Sequence, residues 1–286
     1  MNIIKKASLA PIFLLFLSLT AYLFNPYLAS IDKLFVLNAA SLTEILLLCL
    51  AIVASSLSFI LFATLAADWK IIFPIAVMSA IIPFIFTNPA IGIILGVLIF
   101  ASLMVIHLSL ENNLKTYTDF KPATLLAPPI RQLITLIILS LCLAFYLSAN
   151  NLISQKGFEI PDSLIDASLN FVPKDQLEQL KQNPELLKQS GLNLEALEKM
   201  ETNSSSSVTK NLLKQTVKEQ FNTLLEPYKN IIPVVLTLLL FVSLLSLTSL
   251  LAIFLSPIIF TIFYLLEKSG LIEYEKEMRE VKKLIV

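Results

Sequence analysis

The sequence predicts an all-α polytopic integral membrane protein, a helical bundle with a small helical extramembrane segment. Three observations carry that prediction. The chain is 56% hydrophobic and 15% charged, with a mean hydropathy of +0.80, whereas a soluble domain carries about 25% charged residues. Its apolar residues gather into uncharged runs at 7–31, 45–67, 71–110, 132–155 and 230–266. A run of that length reads as a transmembrane helix, because a helix satisfies its own backbone in lipid. The remainder, 152–229 and 267–286, has the polar and charged composition of segments outside the bilayer.

The first span is predicted at about 9–29. Lys5 and Lys6 precede the apolar residues 9–24, which has the shape of a signal peptide. The cleavage site is poor, since Tyr27 lies two residues before Ala29 and is not small, so the reading taken is an uncleaved span, with removal as the alternative. Phe24-Asn25-Pro26-Tyr27 reads as an exit turn with an interfacial tyrosine, and 31–43 as a short surface segment. The second span, about 42–66, runs from Glu44 to the boundary Asp68-Trp69-Lys70. Ala51, Ala54, Ser55 and Ser58 give small-xxx-small pairs, and Ala54 with Ser58 is a candidate helix-packing pair.

The run 71–110 breaks at Thr87-Asn88-Pro89, which predicts a hairpin of spans at 70–86 and 90–110. Pro74 and Pro83 are predicted to kink the first of these. Gly92 and Gly96 form a GxxxG, a candidate contact face. Residues 111–129, with Lys115, Lys121, Pro122, Pro128 and Pro129, read as a polar connection. Arg131 then opens a fifth span at about 130–149.

Residues 1–151 thus form an N-terminal membrane region of five spans, and 152–229 an extramembrane helical segment. That segment has helix starts at Pro173 and Pro184 and a Ser-rich linker at 202–207. Leu213, Val217, Phe221, Leu224 and Tyr228 share one face of an amphipathic helix leading into the last membrane run. That run, 230–266, has 37 residues, about 55 Å as one helix, against a bilayer core of about 30 Å. The hydroxyls of Ser243, Ser246, Thr248 and Ser249 mark either a tight turn or a polar stripe, and Pro257 is placed to kink a single long helix. Length favours a two-helix hairpin and charge a single crossing. The hairpin is the reading taken, giving about seven spans, or six if the run crosses once. The tail 267–286 is charge-dense, with Met278, Val281 and Leu284 at helical spacing, either a solvated helix or a docking element.

The positive-inside rule sets the orientation. With the N-terminus in the cytoplasm, Lys5, Lys6, Lys70, Lys115, Lys121 and Arg131 fall inside and Lys33 outside. Segment 152–229 then lies outside the cell membrane.

Composition also argues against several activities. The formal net charge is zero, so there is no electrostatic case for nucleic acid. Cys49 and Cys142 lie inside apolar runs and read as small packing residues. One histidine and two separated cysteines argue against a zinc site. HExxH, GxSxG and P-loop motifs are absent, and the membrane runs contain no Asp, Glu, Lys or Arg. His107 is a weak functional candidate, near the cytoplasmic end of the fourth span with Glu111 one turn on; an interfacial role is the blander reading.

The expectation is therefore a non-catalytic membrane protein without a cofactor, a structural or assembly component of a bacterial-type cell envelope. Its partners are the lipid bilayer and a protein bound through 152–229 or the 267–286 tail. The alternative is a transport permease or channel subunit for an apolar or lipid-like substrate.

Overall fold

The computed structural model describes residues 9–35, 39–66, 68–117, 120–156, 226–270 and 272. Residues 157–225 of the predicted extramembrane segment, with its linker 202–207, and nearly all of the charged tail lie outside the described residues; the start of that segment, 152–156, continues the fifth helix instead. Among the described residues all regular structure is helical. Six helices are long and apolar enough to cross a membrane.

Helix α1 spans Ala10–Ala29, with Pro11 in its first turn, where a missing N–H costs nothing. The exit turn expected at Asn25-Pro26 does not form. The helix continues through Pro26, and Ser30 N–H closes its last turn on the Pro26 carbonyl at 3.2 Å. Tyr27 is 2% exposed rather than interfacial, and its ring stacks on buried Phe24 at 6.2 Å. Burying these two aromatics offsets the backbone hydrogen bond that Pro26 cannot donate. A 3₁₀ turn at Ile31–Leu34 comes next, and Lys33 pairs with Glu44 at 3.7 Å across to helix α2, Ala39–Ala66.

Helix α3, Trp69–Phe86, is started by Asp68, whose carboxylate accepts from Lys70 N–H at 3.0 Å. It runs through Pro74 and Pro83 and ends at Thr87. Helix α4 opens at Pro89 and extends to Thr116, and helix α5 runs from Pro122 to Lys156. The connection expected over 111–129 thus shrinks to 117–121. Lys115 folds back on Glu111 one turn earlier at 2.6 Å, an i,i+4 pair that suits helix continuation. Pro122 takes the first helical position of α5, which continues through Pro128 and Pro129.

Helix α5 is the axis of the bundle and touches α1, α2 and α4 as well as both segments of the C-terminal run. Leu126, Ile130, Leu133, Ile137, Leu141 and Phe145 are buried along it, at the three-and-four spacing of a packed helix face. On the opposite side of the core Phe13 of α1 meets Phe59 of α2 at 5.1 Å. Outward-facing residues are equally apolar: Leu15 is 62% exposed, Ile85 72%, Val97 61% and Leu239 57%. A helix that is apolar on every side matches lipid.

The C-terminal run differs from the expected hairpin. Helix α6 spans Ile232–Leu251, a 3₁₀ turn covers Ala252–Phe254, and helix α7 spans Leu255–Lys268. Leu251, Ala252, Phe254 and Leu255 all stay in the right-handed helical region, so the chain never reverses. Thr248 donates to the Leu244 carbonyl at 2.7 Å, so it continues the helix instead of turning it. The break falls where Pro257 places it. Its ring collides with the carbonyl four residues back, at Ile253, and its missing N–H leaves that group unpaired. Both segments pack along α5. Phe263 meets Phe120 at 5.7 Å, and Leu245, Thr248 and Ala252 face Arg131, Ile134 and Thr135. The run is therefore antiparallel to α5 from end to end.

This register aligns the polar boundaries. His107 of α4 and Arg131 of α5 lie equally far along their helices from the 117–121 connection. The Trp69 ring packs against His107 at 5.5 Å, tilted by 30°, and Ala252 faces Arg131. At the other end Ser148 of α5 donates to the Leu28 carbonyl of α1 at 2.6 Å. From Arg131 to Ser148 the rise is about 26 Å, and α6 spans about 30 Å. Ser148→Ala removes this link between α1 and α5, and we expect a loss of about 0.5–1.5 kcal/mol in denaturant unfolding of the detergent-solubilised protein.

Candidate functional site

Polar side chains in the membrane-spanning part of the bundle are few, and most bond to their own helix. Ser55 and Ser56 both donate to the Ile52 carbonyl, at 2.9 and 2.8 Å. Ser79, Ser102 and Ser140 do the same three or four residues back along their helices. A hydroxyl satisfied in this way offers little to a solute.

His107 is 5% exposed and lies between helices at the Trp69 end of the bundle. The rings of Trp69, Phe73 and Phe100 continue from it, with Trp69–Phe73 at 5.8 Å and Phe73–Phe100 at 5.9 Å. The buried Nδ1 of His107 has no hydrogen-bond partner, and Glu111 is engaged by Lys115. An imidazole packed against an aromatic ring in this way is a packing element with one unmet hydrogen bond. Among the described residues no three His, Cys, Asp or Glu side chains converge in a metal-binding group.

Gly92 and Gly96 face α3. A Cβ at Gly96 would run into the Ala80 carbonyl oxygen, and one at Gly92 would lie 3.1 Å from Thr87 Oγ1 and 3.2 Å from Phe84 Cα. The GxxxG thus lets the α3 backbone pass close to α4, within the hairpin formed by the two helices. Of the second pair, Ser58 is buried whereas Ala54 is only partly so. Ala51 and Ser55, at 1% and 0% exposure, form the tighter seam on α2. Cys49 and Cys142 are buried free thiols on α2 and α5.

A further polar feature, which no sequence motif marks, lies between α5 and the C-terminal run. Arg131, Thr135, Thr248 and Ser249 line a crevice of about 220 Å³, floored by Ile134, Leu245 and Ala252. It opens where the Ala252–Phe254 turn interrupts the helix packed against α5. Arg131 is exposed and forms no ion pair among the described residues. In the sequence it reads as the start of a span; the signal for more is Arg131 and Thr135 one turn apart, opposite a Thr-Ser pair.

No protein-family model, no curated protein and no solved structure matches the chain.

Gly96→Val is expected to force α3 off α4, costing about 1–3 kcal/mol in the same unfolding measurement. His107→Phe keeps the ring beside Trp69 and removes the unpaired nitrogen, so its unfolding midpoint should equal or exceed that of the parent protein.

Proposed function

We propose that the chain is a non-catalytic integral membrane protein serving as a structural or assembly component of a cell-envelope membrane. The observation that supports this reading is the filling of the bundle. Apolar side chains occupy its interior, most hydroxyls there turn back on their own helices, and the described charged residues sit at or beyond the Arg131 and Ser148 levels. Ion or proton coupling would call for ionisable groups between those levels. Protein partners would meet the segment 152–229 or the tail 267–286.

A topology belongs to the same reading. Six crossings put both termini in the cytoplasm and 152–229 outside. Lys70, Lys115, Lys121, Arg131 and Lys268 then share the cytoplasmic side, in keeping with the positive-inside rule. Helix α6 has 20 residues, about 30 Å, and matches one bilayer core without help from α7. Length and charge, which conflict for a single unbroken 37-residue helix, agree once the run is divided at Pro257.

Two experiments test these statements. In a background lacking Cys49 and Cys142, a cysteine at Ser269 should resist an impermeant thiol reagent on intact cells, while one at Lys229 should react. The reverse pattern would overturn the orientation, and labelling at both sites would overturn the single crossing. Reconstituted into liposomes, the protein should move ions and polar solutes no faster than empty vesicles do. A flux that His107→Ala abolishes would replace the scaffold reading with a permease.

A further inference from the structure

We propose that the crevice between α5 and α6 is a binding site for the phosphate of an anionic phospholipid, with an acyl chain of that lipid lying along the seam above it. Arg131 is the centre of the site. Its guanidinium is permanently charged and lacks a carboxylate partner among the described residues. It lies as far into α5 from the 117–121 connection as His107, beside Trp69, lies back along α4, near where the sequence passes from apolar to polar. A cation at that depth gains most from an anion presented at the headgroup region. A guanidinium engages phosphate oxygens through two parallel N–H donors.

The surroundings suit a phosphodiester. Ser249 is exposed at the crevice wall beside buried Thr248, and Thr135 lies one turn from Arg131. The Thr135 hydroxyl donates to the Arg131 carbonyl at 3.0 Å, so its proton is engaged and the Ser249 hydroxyl is the donor for a phosphate. A single arginine with one hydroxyl donor matches one phosphate.

The seam then changes character along its length, which distinguishes a lipid from a free anion. Continuing from Arg131 and Thr135 at four-residue steps, α5 presents Leu139 at 54% and Leu143 at 43% exposure. On antiparallel α6, the face that holds Ser249 continues through partly buried Leu245 to Val242 and Leu238, at 58% and 57% exposure. The two stripes lie side by side in the register set by Phe120–Phe263 and the crevice. Both run from polar to apolar in the same direction. That order is the order of a phospholipid, headgroup first and chain after. The break at Ala252–Phe254 supplies the gap: an unbroken helix would close its side chains over the position occupied by the headgroup.

The proposal rests on the membrane placement of the bundle and is independent of the scaffold role, which the flux measurement tests separately. The full chain, purified in a neutral detergent, is titrated with short-chain phosphatidylglycerol, with short-chain phosphatidylcholine, and with inorganic phosphate, reading the thermal midpoint. Phosphatidylglycerol should raise the midpoint saturably. Arg131→Gln should weaken that response roughly tenfold, Ser249→Ala less, and Arg131→Lys should keep part of it. Val242→Gln, remote from the headgroup, should weaken the response to the lipid as well. Arg131 is exposed, so Arg131→Gln should fold with the parent midpoint in the absence of lipid; if it does not, Ser249→Ala and Val242→Gln carry the test. Equal responses in the parent and these variants would overturn the proposal. An equal response to inorganic phosphate would make the site one for a free anion, and an equal response to phosphatidylcholine would remove the requirement for an anionic headgroup; either result overturns the assignment.

Discussion

A peptide group left without a hydrogen bond in hydrocarbon costs several kcal/mol, and nearly every feature of this fold comes from avoiding that cost. Each apolar run becomes a helix. The helices start where a missing donor does no harm, at Pro11, Pro89 and Pro122. Most hydroxyls inside the bundle are directed to a carbonyl of their own helix; Ser148 reaches α1 instead, and the buried Tyr27 hydroxyl has no partner. Association is then left to close packing, since lipid offers apolar helices no solvent to escape. The fit of α4 against α3 at Gly96, the row of buried residues along α5 and the Phe13–Phe59 contact all express it.

Pro257 is the exception that shapes the C-terminal third. It cannot donate and it crowds the Ile253 carbonyl, so the helix tightens into a 3₁₀ turn over Ala252–Phe254 and then resumes. Helix α6, before the turn, has the length of one membrane crossing. Helix α7, beyond it, differs in kind. It is amphipathic and buries Leu255, Ile259 and Phe263 against the start of α5, while Phe260, Tyr264 and Leu265 remain exposed near Glu267 and Lys268. A face that mixes aromatic, aliphatic and charged residues matches a membrane boundary better than a membrane interior.

The helical class and most of the spans were legible in the sequence because both depend on uncharged length, which composition displays directly. The Asn88-Pro89 break was legible for the same reason: Asn-Pro is a local signal with a local consequence. Prolines at 26, 128, 129 and 257 were harder to read, because proline is compatible with a turn, a helix start and a helix interior, and tertiary packing decides among them. At Pro26 the burial of Phe24 and Tyr27 kept the helix going. At Pro257 packing of both flanking helices on α5 kept the chain in one direction where length alone suggested reversal. Among the site residues, Gly92 and Gly96 carried a pattern that means close approach, although the sequence could not name Ala80 as the neighbour. Arg131 carried only its one-turn spacing from Thr135. Its setting depends on which residues α6 brings opposite it, and that register is a property of the whole bundle.

The placement of Arg131 also explains why the seam beside it is loosely filled. Elsewhere along α5 most of the large buried side chains are Ile and Leu, whose branched shapes interlock with their neighbours. At the Pro257 break the helix on the other side tightens into a 3₁₀ turn, which changes the spacing of the side chains it turns toward α5. A long side chain with a charged tip suits such a place, because its methylene stem covers apolar surface while its guanidinium reaches the boundary. One local backbone defect therefore does three things together. It ends α6 at a length that matches one bilayer core, turns the amphipathic α7 onto the start of α5, and leaves a crevice lined by the one arginine of the described helices. Closing that gap by a better-packed pair of helices would require removing the proline, and the run would then again be longer than one bilayer core.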